Sequence, residues 1–134
     1  MANARGGIGM SHTQTLPIYI HSSIFVGKKP VAVIFGEETE PAHTWTKVYK
    51  VILQRAIQDP IYYERLMNLR GRLAGKVRVF ISDNPNYMTR AVKNADDLYG
   101  EAHYGSATLM HILVNIILKA MYYDYSFIKI VIKL

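Results

Sequence analysis

The chain has 134 residues, half of them apolar, and its 16 Lys and Arg against 10 Asp and Glu give a net charge of +6. A chain of this length buries about two thirds of its unfolded surface, and this apolar content excludes wholesale disorder. The sequence has no cysteine, which excludes disulfides, thiolate metal sites and cysteine nucleophiles. We therefore expect a flexible tail over residues 1–15 and a single domain over residues 16–134.

The N-terminal residues and the longest apolar stretch indicate in which compartment the protein is expected. Residues 1–15 lack the apolar core of a secretory signal. The longest apolar stretch, Leu109–Tyr123, contains three polar residues and is shorter than the roughly 20 residues that span a bilayer. We expect an intracellular, cytoplasmic protein with no membrane partner.

The first half of the chain predicts two strands and two helices. Ile18–Val26 and Val31–Phe35 are rich in β-branched and aromatic residues, and an acidic loop follows at Gly36–Pro41. Thr44 is the expected N-cap of a helix whose apolar residues recur at helical spacing from Trp45 onward. Pro60 then suits the first turn of a second helix, Ile61–Leu69.

The second half predicts three strands and a long helix. Val77–Ser82 alternates strictly, and the turn at Asp83–Asn86 leads to a short helix at Tyr87–Lys93. Leu98–His103 is the next expected strand. Ser106 should cap a helix that reaches Tyr123. The last strand is Phe127–Lys133, with its isoleucines on one face.

This order of elements predicts the fold class. Without its first strand the chain follows the order β-α-β-β-α-β, which is compatible with a ferredoxin-like arrangement. We expect an α+β fold in which an antiparallel sheet packs against two main helices.

Four short segments share a pattern with a known module. They are the Trp45-led helix after the acidic turn, Leu69–Arg72 with Val79–Ser82 and Asn84–Pro85, Leu98–Glu101 leading into Ser106–Ala107, and the final helix ending in Tyr123–Tyr125. From Trp45 onward, about two thirds of the chain, the sequence resembles a small module of bacterial restriction and defence proteins. The resemblance implies a prokaryotic or phage setting, and no activity or site residue follows from it.

A basic connector is the first candidate ligand site. Between Arg65 and Ser82 the chain has no acidic residue, and glycines there allow close backbone approach to a ligand. Guanidinium groups suit bidentate contacts with phosphate. The candidate residues are Arg70, Arg72, Lys76 and Arg78. The alternative is a solvated loop whose charge only aids solubility.

An outward sheet face could extend this site. If the strands around Val77 and Phe127 are neighbours, Phe80 and Lys129 share a surface, together with Arg78, Phe127 and Lys133. Aromatic rings interleaved with cations bind single-stranded nucleic acid by stacking on bases. The alternative is that helices cover this face and that its aromatic residues belong to the core.

The long helix and the ten tyrosines suggest an interface. His111, Asn115 and Lys119 form one polar stripe on an otherwise apolar helix, and Tyr122 and Tyr123 follow it. The stripe is either a solvent edge, the lining of a cleft or part of a subunit interface. Tyrosine is enriched at interfaces, so a protein partner or a homo-oligomer is expected. The alternative is that the tyrosines are half-buried packing residues.

The carboxylates of the sequence form no recognisable catalytic pattern. Asp96, Asp97, Glu101 and His103 could converge on a hard cation, but no nuclease pattern accompanies them. His12, His21 and His43 have no partner at ligand spacing. The sequence also lacks a P-loop, a serine nucleophile elbow and a zinc-protease motif. We expect no cofactor and no metal.

No motif assigns an activity, so the function is a hypothesis built on surface chemistry. The favoured one is a non-enzymatic protein that captures a nucleic acid or nucleotide on the basic, aromatic-containing surface. The alternative is a phage, mobile-element or defence-related factor that binds a protein through a Tyr-rich patch. A metal-dependent nuclease is the third.

Overall fold

A computed structural model describes residues 12–75 and 79–134. Over these ranges the chain forms seven strands and three helices. The strands are β1 (Thr13–Pro17), β2 (Lys29–Phe35), β3 (Glu38–Pro41), β4 (Ile81–Ser82), β5 (Ala91–Ala95), β6 (Leu98–Glu101) and β7 (Ile128–Lys133). The helices are α1 (Trp45–Ala56), α2 (Pro60–Asn68) and α3 (Ser106–His111), and α3 continues as a π-helical segment over Ile112–Leu118.

The strands form two antiparallel sheets rather than one. The larger sheet has the order β1-β7-β2-β3, and the smaller has the order β4-β6-β5. The α+β class is confirmed, but the ferredoxin-like single sheet is not what the chain forms. The last strand, β7, pairs with β1 and β2, so the strand at Ile81 has only β6 as a partner within its own sheet.

Helix α1 begins and packs as its sequence predicts. The Thr44 side chain accepts a hydrogen bond from the Lys47 N–H at 3.1 Å, which satisfies one of the free donors of the first turn. The apolar stripe of the helix lies in a core that spans both sheets. Asp59 caps α2, and Pro60 occupies its first turn.

Four local predictions differ from the structure. Ile18–Val26 contains a 3₁₀ turn at Ser22–Phe25, because Phe25 is buried against Trp45 with ring centroids 5.1 Å apart. The acidic loop ends in strand β3, and Tyr87–Lys93 leads into strand β5 instead of forming a helix. Ser106 does not cap α3, since its hydroxyl donates to the Phe25 carbonyl at 2.9 Å.

The expected tail divides into two parts. Residues 1–11 lie outside the described ranges. Thr13–Thr15, the end of the expected tail, belong to β1 and pair with Val131–Lys133. The hydrogen bonds of β1 come from β7, whose Lys133 lies opposite Thr13 although it is 120 residues away in the chain, so local sequence does not reveal this pairing.

Candidate phosphate-binding and interface sites

Arg70 of the basic connector donates hydrogen bonds to two backbone carbonyls of the fold. Its Nε donates to the Met67 carbonyl at 2.8 Å, at the end of α2. A second guanidinium nitrogen donates to the Asp97 carbonyl at 3.0 Å, in the β5–β6 turn. These bonds join the end of α2 to the smaller sheet and fix the orientation of the guanidinium group.

Arg72 of the connector is exposed, whereas Arg70 is half-buried. Arg72 follows Gly71, whose φ of 74° lies in the left-handed region that favours glycine. The Gly71 N–H donates to the Ile81 carbonyl at 2.8 Å, which anchors the loop to β4. Arg70 and Arg72 line a cleft of about 330 Å³ together with Ser82 and Asp83.

The other residues of the predicted ligand site are either outside the described ranges or differently placed than expected. Lys76 and Arg78 lie outside the described residues. Phe80 is buried, with its ring edge-on to Tyr104 at 6.2 Å between centroids, so it offers no exposed face for a base. Its backbone bonds to Leu73 and Glu101, at 2.8 and 3.0 Å, hold it at the edge of the smaller sheet, and its side chain belongs to the core.

Lys129 and the connector belong to different sheets. It lies exposed on β7 in the larger sheet, whereas Phe80 precedes β4 of the smaller one. The shared surface expected for Phe80 and Lys129 therefore does not form. Its premise, that the strands around Val77 and Phe127 are neighbours, is wrong for the described strand Ile81–Ser82.

The polar stripe of the long helix lies at the surface. His111, Asn115 and Lys119 are all exposed, and the Asn115 amide lies 3.1 Å from His111 Nδ1. The intervening residues of the π-helical segment are mostly buried. The other residues of the segment are isoleucine, leucine and valine, and all of them except the half-buried Ile116 are buried.

Aromatic and cationic side chains cluster where that helix ends. Arg65 donates to the Met121 carbonyl at 3.0 Å and lies over the rings of Tyr62 and Tyr122, at 5.3 and 6.0 Å. Tyr62 packs edge-on against Tyr123, with ring centroids 4.9 Å apart. We call Tyr62, Arg65, Tyr122 and Tyr123 the tyrosine patch.

The two C-terminal members of the tyrosine patch differ in exposure. Tyr122 is 82% exposed and has a φ of 54°, which a non-glycine residue seldom adopts. Tyr123 is half-buried, and burial raises the pKa of its hydroxyl. Tyr122 therefore exposes most of its ring to solvent, while Tyr123 packs against Tyr62.

The carboxylates near the smaller sheet do not converge. Glu101 is completely buried, and its carboxylate accepts from the N–H groups of Thr89, Arg90 and His103 at 2.7, 2.8 and 3.1 Å. Asp96 pairs with Lys93 at 3.1 Å. Over residues 12–75 and 79–134, no group of three His, Asp or Glu side chains is arranged to hold a metal ion. The Glu101 carboxylate serves the backbone instead, so the nuclease hypothesis gains nothing from it.

Sequence reasoning missed three residues of a second basic cleft. His12, Lys29 and His43 lie beside Lys133 at one end of the larger sheet. Their positions in the sequence are far apart, and only the pairing of β1, β2 and β7 places them together. No spacing signal in the sequence could have found them.

No family model, curated protein or solved structure that was compared matches this chain. Among the described residues, no helix is both long and apolar enough to cross a membrane.

Proposed function

We propose that the protein binds a phosphate-bearing ligand, a nucleotide or a nucleic acid, through the basic connector, and that it does so without catalysis. The observation that supports this most is the cleft shared by Arg70 and Arg72. Neither arginine forms an ion pair with an acidic group in the described part of the chain, although Asp83 lies in the same cleft. Two guanidinium groups against one carboxylate leave the cleft cationic.

The two arginines have different roles in this proposal. Arg70 is already oriented by two carbonyls, so less conformational freedom is lost when it contacts a phosphate. Arg72 is free to move toward the ligand and to donate charge-assisted hydrogen bonds. The positive φ of Gly71 keeps the backbone between them open to close approach. Lys76 and Arg78 would add charge along the same segment.

The test is fluorescence anisotropy with a labelled (dT)10 oligonucleotide and a labelled ATP at low salt. We expect Arg72→Ala to weaken binding by about fivefold or more, and Arg70→Ala with Arg72→Ala by more than about tenfold, which is 1.4 kcal/mol. Affinity should also fall steeply as salt rises. Because Arg70 holds α2 to the smaller sheet, the double variant needs a melting curve beside it.

Lys47→Ala is the matched control, since Lys47 is exposed on α1 and the variant loses the same single charge. A protein of charge +6 attracts nucleic acid nonspecifically, so this comparison is decisive. Equal losses for Arg72→Ala and Lys47→Ala would contradict the proposal, because diffuse charge would then explain the binding.

The second candidate is a protein-interaction factor, set in bacteria or phage as the sequence resemblance implies. The exposed ring of Tyr122 beside Arg65 supports it, because Tyr and Arg are enriched among the residues that dominate binding energy. A second copy of the chain is the partner that can be tested directly. Sedimentation should then show a dimer that persists in high salt and is lost in Tyr122→Ala. Tyr87→Ala is the control, since Tyr87 is 89% exposed. A monomer at every concentration would contradict self-association through the tyrosine patch.

A further inference from the structure

One face of the larger sheet, opposite the buried isoleucines of β7, carries exposed lysines. Along β7 the isoleucines are buried, whereas Lys129 and Lys133 on the other face are exposed. Lys29 of β2 lies directly opposite Lys133, and directly opposed residues of antiparallel strands point to the same face. This face therefore carries three exposed lysines, and we call it the lysine face; Ala32 and Val131 on the same face are buried.

The acidic residues of this sheet point the other way. Glu38 and Glu40 of β3 lie opposite Phe35 and Val33, which are buried on the inner face. Glu38 there pairs with Arg55 of α1. Since β1, β2 and β7 contain no acidic residue, the four strands place no carboxylate on the lysine face. Glu37 lies in the β2–β3 turn, at the end of the sheet remote from Lys133.

Lys29 and Lys133 are a like-charged pair for which residues 12–75 and 79–134 provide no counter-ion. Like charges directly opposite each other destabilise a sheet. No ion pair of either lysine occurs among the described residues. A bound anion would remove this repulsion.

The end of the lysine face is also concave. A cleft of about 440 Å³ lies between Lys29, Lys133, His12 and His43, with Pro30 and Val31 among its walls. A β-bulge falls between Pro30 and Ala32, and bulges are frequent beside functional sites because they re-aim side chains.

Two backbone contacts place the histidines. The Ala42 N–H donates to the Val31 carbonyl at 3.0 Å, next to His43. The Leu134 N–H donates to the His12 carbonyl at 2.9 Å. The imidazoles add hydrogen-bond donors to the charge of the two lysines.

We infer that this cleft at the end of the lysine face is a second phosphate-binding site, distinct from the basic connector. It shares no residue with the connector cleft and lies on the other sheet. The ligand chemistry is a phosphate group, supplied either as a small phosphate compound or by a nucleic-acid backbone. In the second case Lys129, four residues or about 13 Å along the strand from Lys133, would contact the continuing backbone.

The test is a ¹H–¹⁵N correlation titration of the full chain with inorganic pyrophosphate and, separately, with (dT)6. We expect the amide signals of Thr13, Val31 and Lys133 to move on addition of at least one probe. Lys133→Gln should weaken that binding by about fivefold or more, because it removes one of two adjacent cations. Lys129→Gln is the matched control for pyrophosphate, since it lies on the same strand and face and changes the net charge equally.

The outcomes separate the two sites and the two ligand sources. Movement with pyrophosphate alone assigns a small phosphate ligand, and movement with (dT)6 alone assigns a nucleic-acid backbone; both support the site. Unmoved signals at Thr13, Val31 and Lys133 with both probes would overturn the inference. Where pyrophosphate does move these signals, equal affinities of Lys133→Gln and Lys129→Gln for pyrophosphate would overturn it as well. The amide signals of Gly71, Arg72 and Ser82 report the connector separately, so either site can fail alone.

Discussion

Replacing Glu101 by glutamine tests how the smaller sheet is held to the preceding loop. The buried carboxylate accepts three main-chain N–H groups, one on Oε1 and two on Oε2. Glutamine is almost the same shape, but one of its two terminal atoms is an NH₂ donor. In the variant at least one of these N–H groups must face another donor.

The size of the effect follows from that geometry. Hydrogen bonds to charged groups contribute about 1.5–3 kcal/mol, and a buried donor left without an acceptor costs about 1–3 kcal/mol. We therefore expect Glu101→Gln to lower the free energy of unfolding by about 3 kcal/mol. For a chain of this length that corresponds to a drop in Tm of about 10 °C.

The assay is urea unfolding followed by circular dichroism, with a thermal melt of the same samples. Asp97→Asn is the matched control, because it makes the same change from acid to amide at a residue whose φ of 57° asparagine tolerates well. We expect the control to shift stability by less than about 0.5 kcal/mol. A loss below about 1 kcal/mol for Glu101→Gln would refute the reasoning, because the three N–H groups would then not depend on the carboxylate.

Two further predictions concern Tyr49, which is completely buried on α1. A Cβ added at Gly100 would lie 2.0 Å from the Tyr49 hydroxyl oxygen, so Gly100→Ala should destabilise the fold by about 1–3 kcal/mol, and adding Tyr49→Phe should recover part of that loss in urea unfolding. Full stability of Gly100→Ala would show that no close packing exists there. Burial, with smaller contributions from nearby Tyr104 and Glu101, raises the pKa of the Tyr49 hydroxyl above its value in the unfolded chain, which is about 10. The stabilisation linked to this shift is therefore present below a pH of about 10 and is lost as the pH rises further. In a titration at 295 nm, Tyr49 should ionise only as the chain unfolds; ionisation of all ten tyrosines with native circular dichroism would contradict this.

Helices and strands with one buried and one exposed face were predictable from the sequence. The stripe of α1 and its Thr44 cap are local features, and both are confirmed. Along β7 the isoleucines are buried and the lysines exposed, as its alternation predicts, although Val131 on the lysine side is buried as well. Each of these patterns reports burial within a single element.

Edge strands were not predictable from their own residues. Strands β1 and β3 lie at the two edges of the larger sheet, and their polar sequences carry no apolar alternation. They are strands because β7 and β2 offer them main-chain hydrogen bonds. The same applies to β5, which pairs with β6 although its residues favour no strand.

A candidate site was predictable from the sequence only where its residues are close together in the chain. The basic connector is contiguous in sequence, so its arginines were found at once, although the commitment of Arg70 to two carbonyls was not. The burial of Phe80 and the assembly of the lysine face depended on which strands pair.

The sequence by itself determined the α+β class, the helices α1 and α2, the faces of β7 and the position of the basic connector, because each depends on residues close together in the chain. Only the tertiary structure decided that there are two sheets, that β7 lies between β1 and β2, and that His12, Lys29, His43 and Lys133 share a cleft. Strand pairing joins residues across most of the chain, and its hydrogen bonds are made by the backbone, which is the same at every non-proline residue. Side-chain patterns therefore indicate which segments are buried, while the choice of partner depends on how those segments pack together.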